Sequence, residues 1–225
     1  WTFDELEGYP TLREQIISSR GLHEKFSELE DYATSVAQSR EEEGTTVWIE
    51  KSYHDREDRE EPGWGLGDAL WCVQTRTDGG SSIYYENATR VKKDDVIIHL
   101  DQGQRAFTGA SIAANDYEET TCLENTEWDQ KGISEMGYNP GERPAYRVPL
   151  KNHQEFSSPL DVETILNEQN KKVLHKLRED HTVVYSKNLN LNQGAYLTRS
   201  PPALVDLIID AAHQHVGESI PHLTA

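Results

Sequence analysis

What most constrains this chain is a series of short β-branched and aromatic runs set apart by polar turns. They read "TTVWIEKSY" from Thr45, "ALWCVQ" from Ala69, "DDVIIHL" from Asp94, "AFTGASIAA" from Ala106 and "YRVPL" from Tyr146. Such runs suit strands, and the turn signals at Asp78 to Gly80 and in "DQGQ" from Asp101 make neighbours of them. None is long enough to stand alone, so they are predicted to share one small, mostly antiparallel sheet or open barrel over about residues 45–150.

Helical patterns lie on both sides. In residues 1–44, Leu12, Ile16 and Ile17 share one face, then Leu22, Phe26, Leu29 and Ala33 after Gly21, and Gly44 ends the second helix. A short helical patch is expected from Tyr84 to Val91, and residues 115–144 read as irregular. The segment "SPLDVETILNEQNKKVLHKLRED" is predicted to be an amphipathic helix opened by Ser158 and Pro159, with Ile165, Leu166, Val173, Leu174 and Leu177 as its stripe. A brief "TVVY" strand, an Asn-rich loop and a last helix from Pro201 to about His215 follow. The class is α+β, divided as a helical extension (1–44), a sheet core (45–160) and a C-terminal helical segment packing on it (161–225).

Charge limits the partners. A formal net charge of -18 opposes binding to a polyanion, since nucleic-acid modules usually carry a basic face. A salt-rich cytosol, as in a halophilic archaeon, would remove the conflict by screening within about 3 Å at 1 M salt. The other reading is an acidic domain that never meets nucleic acid. Cys72 and Cys122 stand far apart with no metal spacing, which fits a reducing, cytoplasmic setting. No apolar run reaches the roughly 20 residues that span a bilayer, so no membrane partner is expected. The chain starts at Trp1 and its one methionine is Met136, as expected for a piece of a longer protein.

Phosphate-loop, dinucleotide, zinc-protease and nucleophile-elbow motifs are all missing, so neither catalysis nor a cofactor is expected of this chain. The nine histidines are scattered, and His213 and His215 would fall on different faces of a helix, so no metal site is expected either. The run "HDREDREE" from His54 has the residue types of a metal-dependent nuclease but also those of a solvated loop. An enzyme working through the carboxylates of Asp55 to Glu61 is therefore the rival reading.

Read together, "VWIEKSYHDREDREEPGWGLGDALWCVQT" resembles the first part of a YTH domain. The matching pieces are Lys51, Ser52 and Tyr53, then Trp71 and Cys72, then "YYENATR". Further on, "FTGASIAA" and "TEWDQKGISEMGYNPGERPAYRVPL" are similar to the next strand and to the loop carrying a second tryptophan. The resemblance covers about residues 45–150. Its flanks are closer to the prokaryotic branch of the PUA-like group, with EVE domains and the N-terminal target-reading domains of McrB-type restriction proteins. Two departures stand out: "KKDD" puts Asp94 where the family has glycine, and the second segment aligns only through Trp128 and the Met136-Gly137 pair.

The resemblance implies an aromatic cage for a methylated base, with Trp71 and Trp128 as facing walls and Met136 and Tyr138 as a third side. Trp71 also fits a plain core role. Asp55 or Glu57 would read the base edge, with Ser52 and Cys72 contributing mainly through the backbone or a side-chain oxygen. Phosphate contacts are expected from Lys51, Arg56, Arg76, Lys92, Lys93 and Arg105. Swinging a base out of a duplex costs about a few kcal/mol. Stacking on aromatic faces returns roughly 1–3 kcal/mol per base, and an enclosed methyl group adds about 0.8 kcal/mol. The expected partner is methylated DNA, with methylated RNA as the alternative, and an NTPase or nuclease domain or subunit of the same restriction system would do any cutting. Methyladenine and methylcytosine suit the same residue types.

Overall fold

The computed structural model describes residues 45–55, 61–217 and 219–223. The helices expected in 1–44, together with Arg56 and Glu57, lie outside the described residues. The strands are β1 (Val47–Ser52), β2 (Ala69–Val73), β3 (Val96–Asp101), β4 (Ala106–Ala113), β5 (Glu118–Thr121), β6 (Pro144–Asp161) and β7 (Leu197–Arg199). They form a seven-stranded sheet in the order β2-β6-β4-β3-β1-β7, with β5 paired to β6. The α-helices among the described residues are α1 (Ile83–Glu86), α2 (Glu127–Lys131), α3 (Lys171–Asp180) and α4 (Pro202–Ala211). This is the α+β class expected.

All pairings are antiparallel except β1 with β3, which run parallel from Val47↔Val96 to Ser52↔Asp101. Two strands that leave in the same direction need a long crossover, and β2, α1 and the turn after it supply it. That turn contains the departure noted above. Asp94 adopts φ 70°, the left-handed conformation a glycine would take there, so the turn survives the substitution. Asp95 then locks it. Its buried carboxylate accepts from Thr46 N (2.9 Å) at one oxygen, and from Trp48 Nε1 (2.9 Å) and Lys92 N (2.8 Å) at the other.

Strand alternation sorts the core into separate layers. Val47, Ile49, Val96, Ile98 and Leu100 face Leu174 of α3 and Leu204, Val205 and Ile208 of α4. Trp48 and Ile97 face the other way, onto Leu70 and Cys72 of β2 and Val148 of β6. A third cluster, with Trp64, Ala69, Trp71 and Val73, packs on the opposite face of β2.

A polar seam crosses the second layer. His99 Nδ1 lies 3.1 Å from Glu50 Oε2, and its Nε2 lies 2.7 Å from Ser111 Oγ, which lies 2.9 Å from His153 Nδ1. The protons can be arranged so that every contact is met, for example with His153 donating to Ser111, Ser111 to His99, and His99 to Glu50. His153 Nε2 has no partner among the described residues. The sheet register slips between Ala110 and Ile112, opposite Asn152 at φ 53°, and this bulge turns His153 toward Ser111.

Three expectations need correction. Residues 115–144 are not irregular throughout, since they contain β5, α2 and a π-turn over Gly132–Met136. The helix predicted from Ser158 is absent at its start. Ser158 and Pro159 belong to β6, a short 3-10 turn follows at Val162–Thr164, and the helix begins only at Lys171. The bulge of β6 between Glu155 and Leu160, opposite Phe107 and Gly109, accommodates the proline, which cannot donate to a ladder. Val183 and Val184 form no strand; the one bridge nearby joins Tyr185 and Leu191.

Candidate nucleic-acid interface

The parallel pair brings the ends of β1 and β3 together, and the sheet corner at β6 brings β2 near them. A cavity of about 290 Å³ opens there, lined by Lys51, Ser52, Tyr53 and Gln102 on one side and by Glu127, Trp128 and Lys131 of α2 on the other. Trp64, Trp71, Tyr85, Gly194 and Tyr196 complete the lining. Trp71 reaches it because β2 alternates: Trp71 shares a face with Ala69 and Val73, while Leu70 and Cys72 turn into the second core layer.

The aromatic side is a connected set. Trp64 stands between the two expected walls, with ring centroids 5.5 Å from Trp71 and 5.7 Å from Trp128. Tyr85 and Tyr196 each lie 5.5 Å from Trp128. Trp71 is pinned through Nε1 to the Gly63 carbonyl (2.9 Å), and the Arg147 guanidinium sits 5.7 Å from its ring centroid. Arg143 holds α2 by donating to the Trp128 carbonyl (2.6 Å) and the Thr75 carbonyl (3.0 Å). Gly132 is needed beside it, because a Cβ there would meet the Arg143 side chain at 2.8 Å.

The polar side is donor-rich. Lys51 Nζ donates to Gln102 Oε1 (2.6 Å), and Gln102 Nε2 donates to the Tyr53 hydroxyl (3.0 Å). Burial pulls the Lys51 ammonium below its ordinary value, against the opposing charge of Glu50. Burial also raises the Tyr85 phenol, which therefore stays protonated at neutral pH. The Ser52 hydroxyl has no partner among the described residues. Aromatic walls facing a lysine ammonium and a hydroxyl suit a flat ring with acceptor atoms along one edge.

Of the expected cage, the structure brings Trp71 and Trp128 to one cavity, with Trp64 as the third wall. Met136 and Tyr138 stand at and after the π-turn and do not line it. Ser52 lines it. Asp55 is exposed and outside the lining, and Cys72 is wholly buried with its thiol in the second core layer. Of the phosphate candidates, Lys51 is buried and faces the cavity. Lys92 and Lys93 lie at the far end of the β1–β3 pair, about 20 Å away at roughly 3.3 Å per residue. Arg76, Lys92 and Arg105 pair with Asp78 (2.8 Å), Asp116 (3.0 Å) and Glu163 (3.9 Å). Lys131, missed in the sequence, is on the rim beside its partner Glu127. Trp64 could have been found from "PGWG", where a tryptophan sits in a turn with no strand to bury it; Tyr85, Gln102 and Tyr196 gave no such signal. Among the described residues, no group of three His, Cys, Asp or Glu could hold a metal ion.

No protein-family model and no curated protein matches the chain. Among solved structures, it is similar to the N-terminal domain of Staphylothermus marinus McrB, at 14% identity and TM-score 0.40, over 73% of this chain and 93% of that one. It is similar to human THYN1, solved in complex with 5-methylcytosine-containing DNA, at 10% identity and TM-score 0.37, over 74% of this chain and 98% of that one. A Pseudomonas syringae protein is similar at 9% identity and TM-score 0.43, over 73% and 99%. Identities and scores this low describe a loose correspondence of chain path, so the site stands on its own geometry.

Proposed function

We propose that this chain is a non-catalytic reader of a methylated base in DNA, taking the swung-out base into the cavity lined by Trp64, Trp71 and Trp128. The observation that carries the reading is the joining of an aromatic set and a donor-rich edge around one cavity. Its volume of about 290 Å³ is at the lower end of small-ligand pockets, about 300–1,000 Å³, as suits one ring system rather than an extended ligand. Stacking on the indoles offsets the unstacking, and Lys51 and Ser52 take acceptor atoms of the base edge. The chain acts as the target-recognition module of a modification-dependent restriction system, whose NTPase and nuclease reside on another domain or subunit.

The test is fluorescence polarisation against matched duplexes that are unmodified, N6-methyladenine-containing or 5-methylcytosine-containing, at low and high salt. Trp71→Ala and Trp128→Ala are measured alongside. The expected result is a preference for one modified duplex that both variants lose. Among the described residues, the rim cation Lys131 is paired with Glu127, so the salt dependence should be shallower than that of about three phosphate contacts. Binding only to methylated RNA would replace the DNA ligand. No binding to any nucleic acid by a folded wild type would end the reading.

A further inference from the structure

We propose that Tyr53 is the side chain that enters the duplex when the base leaves it. The inference rests on the base-reading function proposed above. Tyr53 lines the cavity and immediately follows β1, yet it is 45% exposed and belongs to none of the three core clusters. An aromatic ring with no core to join would ordinarily move freely among rotamers. This one is held from two directions.

Its hydroxyl accepts from Gln102 Nε2 at 3.0 Å, and Gln102 is itself fixed by Lys51 Nζ (2.6 Å) and by its amide on the Ser52 carbonyl (2.8 Å). Beneath the ring lies Gly103, where a Cβ would be 3.6 Å from Tyr53 Cδ1. Gly103 in turn donates its amide to Asp101 Oδ1 at 2.8 Å. The turn between β3 and β4 is thus a fixed support, and the ring above it keeps an open surface at the cavity mouth.

Removing a base from a duplex leaves its neighbours unstacked across an empty step, and proteins that deform DNA fill such steps with inserted side chains. Filling the step must come from a group close to the cavity, because the departing base and the gap are joined by one nucleotide. Tyr53 meets that requirement, and its fixed ring has already lost the freedom that insertion would otherwise remove. It would stack on a base next to the vacated position, while Trp71 and Trp128 hold the base that left.

The two roles separate experimentally, because a single strand has no gap to fill. The whole chain and its Tyr53→Ala, Tyr53→Phe and Trp71→Ala variants are titrated by fluorescence polarisation with one sequence carrying 5-methylcytosine or N6-methyladenine. Each oligonucleotide is presented both as a duplex and as a single strand. Loss of one aromatic stack should weaken duplex binding by Tyr53→Ala roughly 10- to 100-fold. Its single-strand binding should fall clearly less than its duplex binding, and Tyr53→Phe, which keeps the ring but loses the hold of Gln102, should fall between Tyr53→Ala and wild type on the duplex. Trp71→Ala should weaken both. Equal weakening of both forms by Tyr53→Ala would make Tyr53 an ordinary cavity wall and overturn the inference, as would no effect on either. Wild type that ignores the modification in both forms refutes the base-reading function itself, and the inference with it, before any Tyr53 variant is compared.

Discussion

Asp95→Asn is the substitution that best tests how the β1–β3 pair is locked at the end away from the cavity. The carboxylate is 1% exposed and accepts three N–H groups, two at one oxygen and one at the other. Asparagine keeps the shape but offers a single acceptor. Its favoured orientation keeps that oxygen on Trp48 Nε1 and Lys92 N and turns its NH₂ toward Thr46 N, donor against donor. Leaving the Thr46 donor unmet costs about 1–3 kcal/mol. The two remaining bonds lose their charge, which removes roughly half of each, or about 1 kcal/mol apiece. The sum, about 3–5 kcal/mol, is a large share of a domain stability of about 5–15 kcal/mol. Thermal unfolding followed by circular dichroism should show Tm falling by roughly 10 °C, at about 2–4 °C per kcal/mol for a chain of this size. Trp48→Phe removes one of the three donors and also leaves a cavity where the buried indole packed, and the two changes should be less than additive because they share a bond. An Asp95→Asn protein melting within about 2 °C of wild type would refute the claim that this carboxylate locks the crossover turn.

Three further outcomes are expected. Gly109→Ala places a Cβ 2.6 Å from the Gln154 carbonyl oxygen, so β4 and β6 must part; the urea midpoint should fall by the equivalent of about 1–3 kcal/mol, and an unchanged midpoint would show that the close approach is dispensable. Arg143→Lys cannot span the Trp128 and Thr75 carbonyls together, so α2 loosens and affinity for the modified duplex drops about 5- to 10-fold, with an unchanged dissociation constant arguing that Trp128 needs no such support. Burial, with His99 and His54 adding to it against Glu155 and Asp68, holds His153 below its ordinary value of 6.5. The unfolded chain then binds the proton first, so this contribution to stability is complete above pH 6.5 and declines as pH falls through that value. His153→Gln should flatten the dependence of the urea midpoint between about pH 7.5 and 5.5, and an unaltered slope would assign the effect to other groups.

The strands β1 to β4 were legible because each is a compact apolar run with a turn beside it. β6 was legible only in its first half. Beyond Leu150 its residues are mostly half-buried or exposed, so "KNHQEFSSPLD" shows no alternation to read. The Ser158-Pro159 pair imitates a helix start, and the stripe from Ile165 onward completed the illusion; a bulge in the sheet was the competing use of that proline. β5 has no hydrophobic residue at all, and β7 is three residues long in an Asn-rich stretch. At the site, Trp71 and Trp128 followed from the family resemblance, whereas Trp64, Tyr85 and Tyr196 converge from separate parts of the chain. Sequence spacing carries no trace of such convergence. Cys72 turns its thiol into the second core layer while Trp71 faces the cavity, since adjacent residues on a strand point to opposite faces.

The pairing of β7 with β1 decides when this protein becomes complete. Trp48, Ile49 and Glu50 stay without their outer neighbours until Leu197, Thr198 and Arg199 have left the ribosome. Until then "VWIEKS" is a bare, apolar sheet edge, the kind of template that recruits strands from other chains. Gly194 and Tyr196, part of the cavity lining, arrive with the same segment. A nascent or truncated chain ending before Gly194 would therefore be both unable to bind and prone to aggregate. Contacts this distant in sequence also make the final closure slow. In such a molecule a strand made long after β1 both covers its edge and finishes the pocket.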